Sequence, residues 1–208
     1  MINITNEDNM ELMSRYEDNH FDLSIVDPPY GIGNFNMENQ VNKKIKKWEY
    51  DWNNEIPNKN YFNELKRVSK EQIIWGANYY NCFNNKGGAI VWFKDVRHPN
   101  MSKCEIASYS RLKKVDFYRY DWSNTDKYNE LRGTDIHPCE KPVTLYEWLL
   151  MNYAKEGDKI LDTHLGSGSI AIACHNLNFN LTACELDKEY YNAAIKRLKQ
   201  HTSQLRII

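Results

Sequence analysis

The chain has 208 residues, with 27 lysines and arginines against 28 aspartates and glutamates and a hydrophobic fraction of 41%. That length buries roughly 70% of the unfolded surface, enough for a single domain over residues 1–208, while a net charge of −1 excludes a histone-like polycation and leaves nucleic-acid contact to local patches. No run approaches the roughly 18 apolar residues of a membrane span, and the opening residues lack the basic start and apolar stretch of a signal peptide, so the expected location is the cytoplasm, away from membranes.

From the N-terminus, an apolar run at 2–5 predicts a strand, and Asp8 stands where it would cap a short helix over 9–16. Further strands are expected at 23–27, 73–75, 89–93, 115–118, 159–162 and 181–185. Helices are expected at 142–154, where Leu145, Trp148, Leu149 and Asn152 share a face and Gly157 lies just beyond, and at 188–201 on Tyr191, Ala194, Ile195 and Leu198. Such alternation is the pattern of an α/β domain. Between them, residues 31–60 are Asn-rich and aperiodic, which predicts a mobile functional loop. Lys43, Lys44, Lys46 and Lys47 cluster there with no acid between Gln40 and Trp48, either as a solvated face or as an arm that tracks phosphates. The five cysteines are scattered without any CxxC pair, and neither His137 with Cys139 nor Cys174 with His175 has a second pair at ligand spacing, so no metal is expected.

Two strings carry chemistry. Asp27-Pro28-Pro29-Tyr30 follows the apolar run 23–26 directly. Two successive prolines remove two N–H donors and fix the backbone, so carbonyl oxygens and the Asp27 carboxylate are presented together as acceptors. Their natural partner is an amino group with two hydrogens to give, and Tyr30 supplies a ring on which a planar base can stack. The second string runs from strand 159–162 through Thr163, His164, Leu165, Gly166, Ser167 and Gly168 into a helical pattern. Its glycines allow close backbone approach and its helix start aims N–H groups at a ligand. Gly166, Gly168 and Ala171 fit the dinucleotide fingerprint, with Glu185 where a ribose-binding acid would stand, so this string alone leaves a nicotinamide cofactor open.

Taken with the intervening His137-Pro138-Cys139-Glu140-Lys141-Pro142, the two strings resemble the amino-group (N6-adenine and N4-cytosine) DNA methyltransferases that use S-adenosyl-L-methionine. The stretches 61–69, 73–79, 91–94, 105–108 and 145–162 resemble the short adenine methylases of phages and prophages, and the motif order is that of the permuted β group. The resemblance implies a Rossmann-like α/β methyltransferase fold of circularly permuted motif order. Its sheet would have seven mostly parallel strands in the order 3-2-1-4-5-7-6, the seventh reversed. It implies a role in restriction-modification and catalysis by Asp27, Pro28, Pro29 and Tyr30. Asp8, Asp27, Asp162, Gly166, Ser167, Gly168 and Glu185 would surround the cofactor, and His137, Pro138, Lys141 and Pro142 would close over it.

On this reading hydrogen bonds to Asp27 and the Pro28 carbonyl aim the lone pair of a flipped-out adenine, with Tyr30 on one face and Phe117 or Trp122 on the other. The acid at position 27 favours adenine, because cytosine-N4 relatives more often carry serine there; cytosine N4, RNA or a glutamine side chain are the alternative acceptors. Only 16 residues, 121–136, occupy the interval where a DNA-reading domain is usual in the family this chain resembles, so either site specificity is relaxed or residues 31–60 and a second subunit in a homodimer supply it.

Overall fold

The computed structural model describes residues 1–33, 53–82, 87–94, 102–120, 136 and 139–203. Its strands are β1 (Ile2–Thr5), β2 (Phe21–Val26), β3 (Ser69–Trp75), β4 (Ala89–Phe93), β5 (Cys104–Tyr109), β6 (Val115–Arg119), β7 (Lys159–Asp162) and β8 (Asn180–Cys184). They form one sheet in the order β1-β8-β7-β2-β3-β5-β4-β6. Among the described residues only β5 runs against its neighbours, β3 and β4, and every other pairing is parallel.

The first seven places of this order reproduce the arrangement implied by the resemblance, with β5 as the reversed strand. The expected count of seven is corrected to eight, because β6 adds a rung outside β4, pairing Ala89 with Val115 through Phe93 with Arg119. Its alternation of exposed Val115, Phe117 and Arg119 with half-buried Asp116 and Tyr118 is that of an edge strand with one solvated face. The strand at 104–109 was not expected from the sequence.

Central strands bury both faces, so they carry near-continuous apolar runs. Successive residues then serve opposite layers. Leu23, Ile25, Ile73, Trp75 and Ile160 face a cluster with Leu145, Leu149, Ile170 and Ile172, whereas Val26, Ile74 and Leu161 face Leu12, Met13, Tyr61 and Leu65. The first cluster seats helices α4 (Val143–Tyr153) and α5 (Ser169–Asn176), and the second seats α1 (Asn9–Ser14) and α2 (Lys59–Val68). Two further helices are the single-turn α3 (Ala77–Tyr80) and the long α6 (Lys188–Ser203). Helix α2 starts at an Asn58 cap, whose side chain accepts from the Tyr61 N–H at 3.2 Å, so the segment expected to be a loop over 31–60 already runs into a helix at its end.

Pairing of Leu23 with Ile160 and Ser24 with Leu161 sets β2 beside β7, so the Asp-Pro-Pro-Tyr string and the glycine turn leave the same edge of the sheet as neighbours.

Candidate active site

At that edge β1, β8, β7 and β2 end side by side, and a cavity of about 890 Å³ opens beyond them. Asp8 follows β1, Glu185 follows β8, Gly166 and Ser167 follow β7 and Asp27 follows β2, and all five line it. Met10, Ile56 and Leu186, which are exposed apolar side chains, lie at the same cavity.

The cofactor-side geometry begins at Glu185. One carboxylate oxygen accepts from the Gly166 N–H at 2.8 Å and the other from the Asp187 N–H at 2.9 Å. Burial pushes this carboxyl up from its usual value, while those two N–H groups pull it back. Gly166, at φ +52°, can therefore be held against the next strand by a side chain. Asp8 caps α1, accepting from Met10 N–H at 2.7 Å and Glu11 N–H at 3.3 Å, and still lines the cavity, so its two expected roles are compatible. Gly168 differs from expectation. At φ +77° it caps α5, and a Cβ there would stand 3.1 Å from the Ala194 Cβ of α6, which makes it a helix-packing glycine behind the cavity wall. Asp162 is likewise buried behind that wall, accepting from the His164 N–H at 3.0 Å, with burial raising its carboxyl to about 8.

His164 itself lines the cavity. Its Nε2 lies 3.2 Å from Asn9 Nδ2, its Nδ1 3.0 Å from Thr163 Oγ1, and burial lowers its pKa to about 4. With an amide donating to Nε2, the ring is the neutral tautomer protonated on Nδ1.

On the target side, both expected acceptors are occupied by donors from the protein itself. Asp27 Oδ1 accepts from the Tyr30 hydroxyl at 2.6 Å, and Oδ2 accepts from the Lys141 ammonium. The Pro28 carbonyl accepts from the Tyr80 hydroxyl, which also reaches the Pro29 carbonyl at 2.9 Å. Tyr30 is stacked on Tyr79, ring centroids 4.9 Å apart and 16° from parallel. Gly76, at φ +75°, makes room for this cluster, since a Cβ there would collide with the Tyr30 ring.

Lys141 is 2% exposed and bridges Asp27 to Glu105, whose Oε2 lies 2.9 Å away; the other Glu105 oxygen takes Lys94 at 2.8 Å. Burial alone would raise the Glu105 carboxyl, but Lys141 and Lys94 hold it at about 2. Burial also works against the Lys141 ammonium, and the two carboxylates outweigh it and keep its pKa above the usual lysine value. A second tie joins the 139–142 segment to the glycine turn. Arg197 of α6 pairs with buried Glu140, and donates to the Ser167 carbonyl at 3.1 Å and Ser169 Oγ at 3.0 Å.

Of the remaining expectations, Pro142 stands at the start of α4 next to Lys141. His137, Pro138, Lys43, Lys44, Lys46, Lys47 and Trp122 lie outside the described residues. Phe117 is corrected as the partner of Tyr30. It sits on β6, four strand places from β2, or about 19 Å at ordinary strand spacing, and its ring neighbour is Phe93. Among the described residues there is no group of three or more metal-ligating side chains, and no helix long and apolar enough to cross a membrane.

Residues 61–196 match the family model for N6- and N4-directed DNA methylases. The chain belongs to that DNA methylase family. The match leaves no place for the nicotinamide alternative. Among curated relatives, this methylase is similar to the Type II methyltransferase M2.DpnII of Streptococcus pneumoniae, at 25% identity covering 94% of this chain and 89% of that one. It is also similar to M.HpaI of Haemophilus parainfluenzae, at 24% identity covering 91% and 71%. Among solved structures, the M1.HpyAVI–SAM complex superposes with a TM-score of 0.60 at 19% identity, covering 95% of this chain and 99% of that one. The cytosine-N4-specific PvuII DNA methyltransferase gives 0.61 at 12% identity, covering 100% and 88%. At such identities these likenesses establish the shared fold.

Sequence reasoning on this methylase missed Glu105, Lys94, Tyr79, Tyr80, Arg197 and Asn53. Asn53 accepts from the Tyr30 N–H at 2.9 Å and donates to the Gly33 carbonyl at 3.0 Å, clamping the chain just after the motif. The one legible signal was the aromatic pair Tyr79-Tyr80 in the turn of chain that follows Gly76.

Proposed function

We propose that this methylase transfers a methyl group to the exocyclic N6 of an adenine flipped out of DNA, with S-adenosyl-L-methionine as cofactor. The observation that carries the reading is the position of Asp27, an acceptor carboxylate that forms part of the wall of the same cavity as Glu185, Gly166 and Asp8. That cavity fits the cofactor: two carboxylates, Asp8 and Glu185, stand beside a glycine turn, exposed apolar side chains lie at it, and negative charge suits a sulfonium cation. When bound, the cofactor supplies an electrophilic methyl group.

The chain's own residues do the rest. Asp27 and the Pro28 carbonyl accept hydrogen bonds from the target amino group, localising a lone pair that the purine ring otherwise delocalises. Tyr80 must surrender the Pro28 carbonyl for this, and the Tyr30 ring must part from Tyr79 to meet the base, so base entry exchanges one set of partners for another. Asp27 supports adenine over cytosine, because serine is more usual at this place in N4-cytosine relatives. Site recognition is assigned to residues 31–60, with Lys43, Lys44, Lys46 and Lys47 on phosphates, and to a second subunit.

The test is transfer of labelled methyl groups to duplex DNA followed by nucleoside analysis. N6-methyladenine is the expected product; N4-methylcytosine would move the assignment to the other base. Asp27→Asn should slow single turnover by about 10²–10³ with cofactor affinity retained, and a wild-type single-turnover rate in this variant would remove Asp27 from the chemistry.

A further inference from the structure

Behind Asp27 lies a row of four charged side chains that runs away from the cavity: Asp27, Lys141, Glu105 and Lys94. Each carboxylate oxygen in the row has its own donor. Tyr30 and Lys141 take the two oxygens of Asp27, and Lys141 and Lys94 take the two of Glu105. Two positive and two negative groups leave the row neutral. The lysine side chains are 2% and 12% exposed, so water does little to balance either charge.

The elements that hold the far end are not the motif elements. Glu105 sits on β5, the reversed strand, opposite Trp92 of β4. Lys94 follows β4 directly, over the Trp92 ring at 5.6 Å. The sheet thus carries an acid and a base from outside the catalytic motif to the back of the one carboxylate that the chemistry needs.

Building on the adenine methylase reading, we infer that Glu105 is a positioning residue that acts on Asp27 through Lys141. It cancels the charge of one ammonium, so Lys141 secures Oδ2 without imposing a net positive field, and Oδ1, which accepts from the Tyr30 hydroxyl at 2.6 Å, keeps a second lone pair for the target amino group. The need for this follows from the reaction. Positive charge arrives on the attacking nitrogen as the new bond to carbon forms, and an uncompensated ammonium one side chain away would oppose it in a partly desolvated site. Lys94 in turn pairs with the Glu105 oxygen that Lys141 leaves, at 2.8 Å, so the acid's second oxygen also has a donor.

The inference distinguishes charge balance from mere packing, and the test uses that difference. Glu105→Gln keeps shape but leaves two ammoniums facing one carboxylate. Lys94→Gln with Glu105→Gln restores neutrality while removing both side-chain charges. Expected for E105Q is a loss on the order of 10–100-fold in single-turnover rate, with cofactor affinity by calorimetry changed only a few-fold. The melting temperature of the cofactor-free protein should also fall by about 5–15 °C. The double variant should regain at least about tenfold of the rate and most of the melting temperature, since no unpaired charge remains. If E105Q does not fold, the double variant alone decides: a folded protein turning over near the wild-type rate supports the inference, and one slower by two orders of magnitude overturns it. It is equally overturned by an E105Q variant at wild-type rate, or by a double variant slower than the single one. A wild-type protein that methylates no DNA base would instead overturn the functional reading on which the inference rests.

Discussion

Tyr80 shows how much a single hydroxyl can organise. It satisfies the carbonyls of Pro28 and Pro29, and Pro28 is buried. Removing the donor leaves a buried acceptor without its partner, which costs about 1–3 kcal/mol. Tyr80→Phe should therefore lower the melting temperature by about 3–8 °C, while calorimetry finds unchanged cofactor affinity, because Tyr80 is not part of the cavity wall. An unchanged melting temperature would mean that water replaces the hydroxyl without loss. The same residue explains a limit of reading from sequence. Asp27-Pro28-Pro29-Tyr30 was legible as a set of acceptors because prolines and an acid declare their chemistry locally. Which donors fill them was not, since Tyr80 and Lys141 arrive from 52 and 114 residues away.

At the scale of elements, the glycine turn between β7 and α5 divides its labour between two glycines. Gly168→Val should lower the melting temperature by about 3–8 °C, because φ is +77° and the new side chain meets Ala194. Glu185→Ala should lower the melting temperature by about 2–6 °C, because the Gly166 and Asp187 N–H groups lose their acceptor, and should in addition weaken cofactor binding about 10–100-fold, the worth of charge-assisted hydrogen bonds at a ligand. Calorimetric titration and a thermal melt on both variants separate the two roles, and weakened cofactor binding in a fully stable Gly168→Val would return Gly168 to the cavity wall. Strands such as Ile2–Thr5, Ala89–Phe93 and Lys159–Asp162 were legible to the residue, since short apolar runs between turn formers have few other fates. Strand Cys104–Tyr109 was not, and the reason is functional. Its Glu105 faces the buried charge row and its Ser108 is buried, so polar residues stand where an apolar alternation would have announced a strand. Helix α2 escaped although Tyr61, Leu65 and Val68 recur at helical spacing behind the Asn58 cap, because the rest of the segment is polar and charged and follows an aperiodic Asn-rich stretch.

For the whole molecule, two of the buried groups that link stability to pH act in opposite senses. His164 has its pKa lowered from 6.5 to about 4 by burial, so between those values the unfolded chain binds a proton that the folded one refuses. Its contribution is complete above pH 6.5 and is lost as pH falls, at about 1.4 kcal/mol per pH unit. Asp162, raised to about 8 by burial, pulls the other way, favouring the fold at low pH and weakening it as pH rises toward 8. Comparing wild type with His164→Gln isolates the first effect: below pH 6.5 the wild-type melting temperature should fall relative to the variant, and parallel curves would show that His164 binds its proton as readily in the fold as in the unfolded chain. One architectural fact governs how the protein comes into being. Among the described residues strand β1 pairs only with β8, and the Thr5 hydroxyl donates to the Ala183 carbonyl across a gap of 178 residues. A ribosome adding about 5–20 residues per second delivers that partner roughly ten to forty seconds after β1 has emerged. Throughout that interval Asp8 has no Glu185 to face, so a nascent chain that stops short of β8 lacks one wall of the cavity that the complete sheet builds.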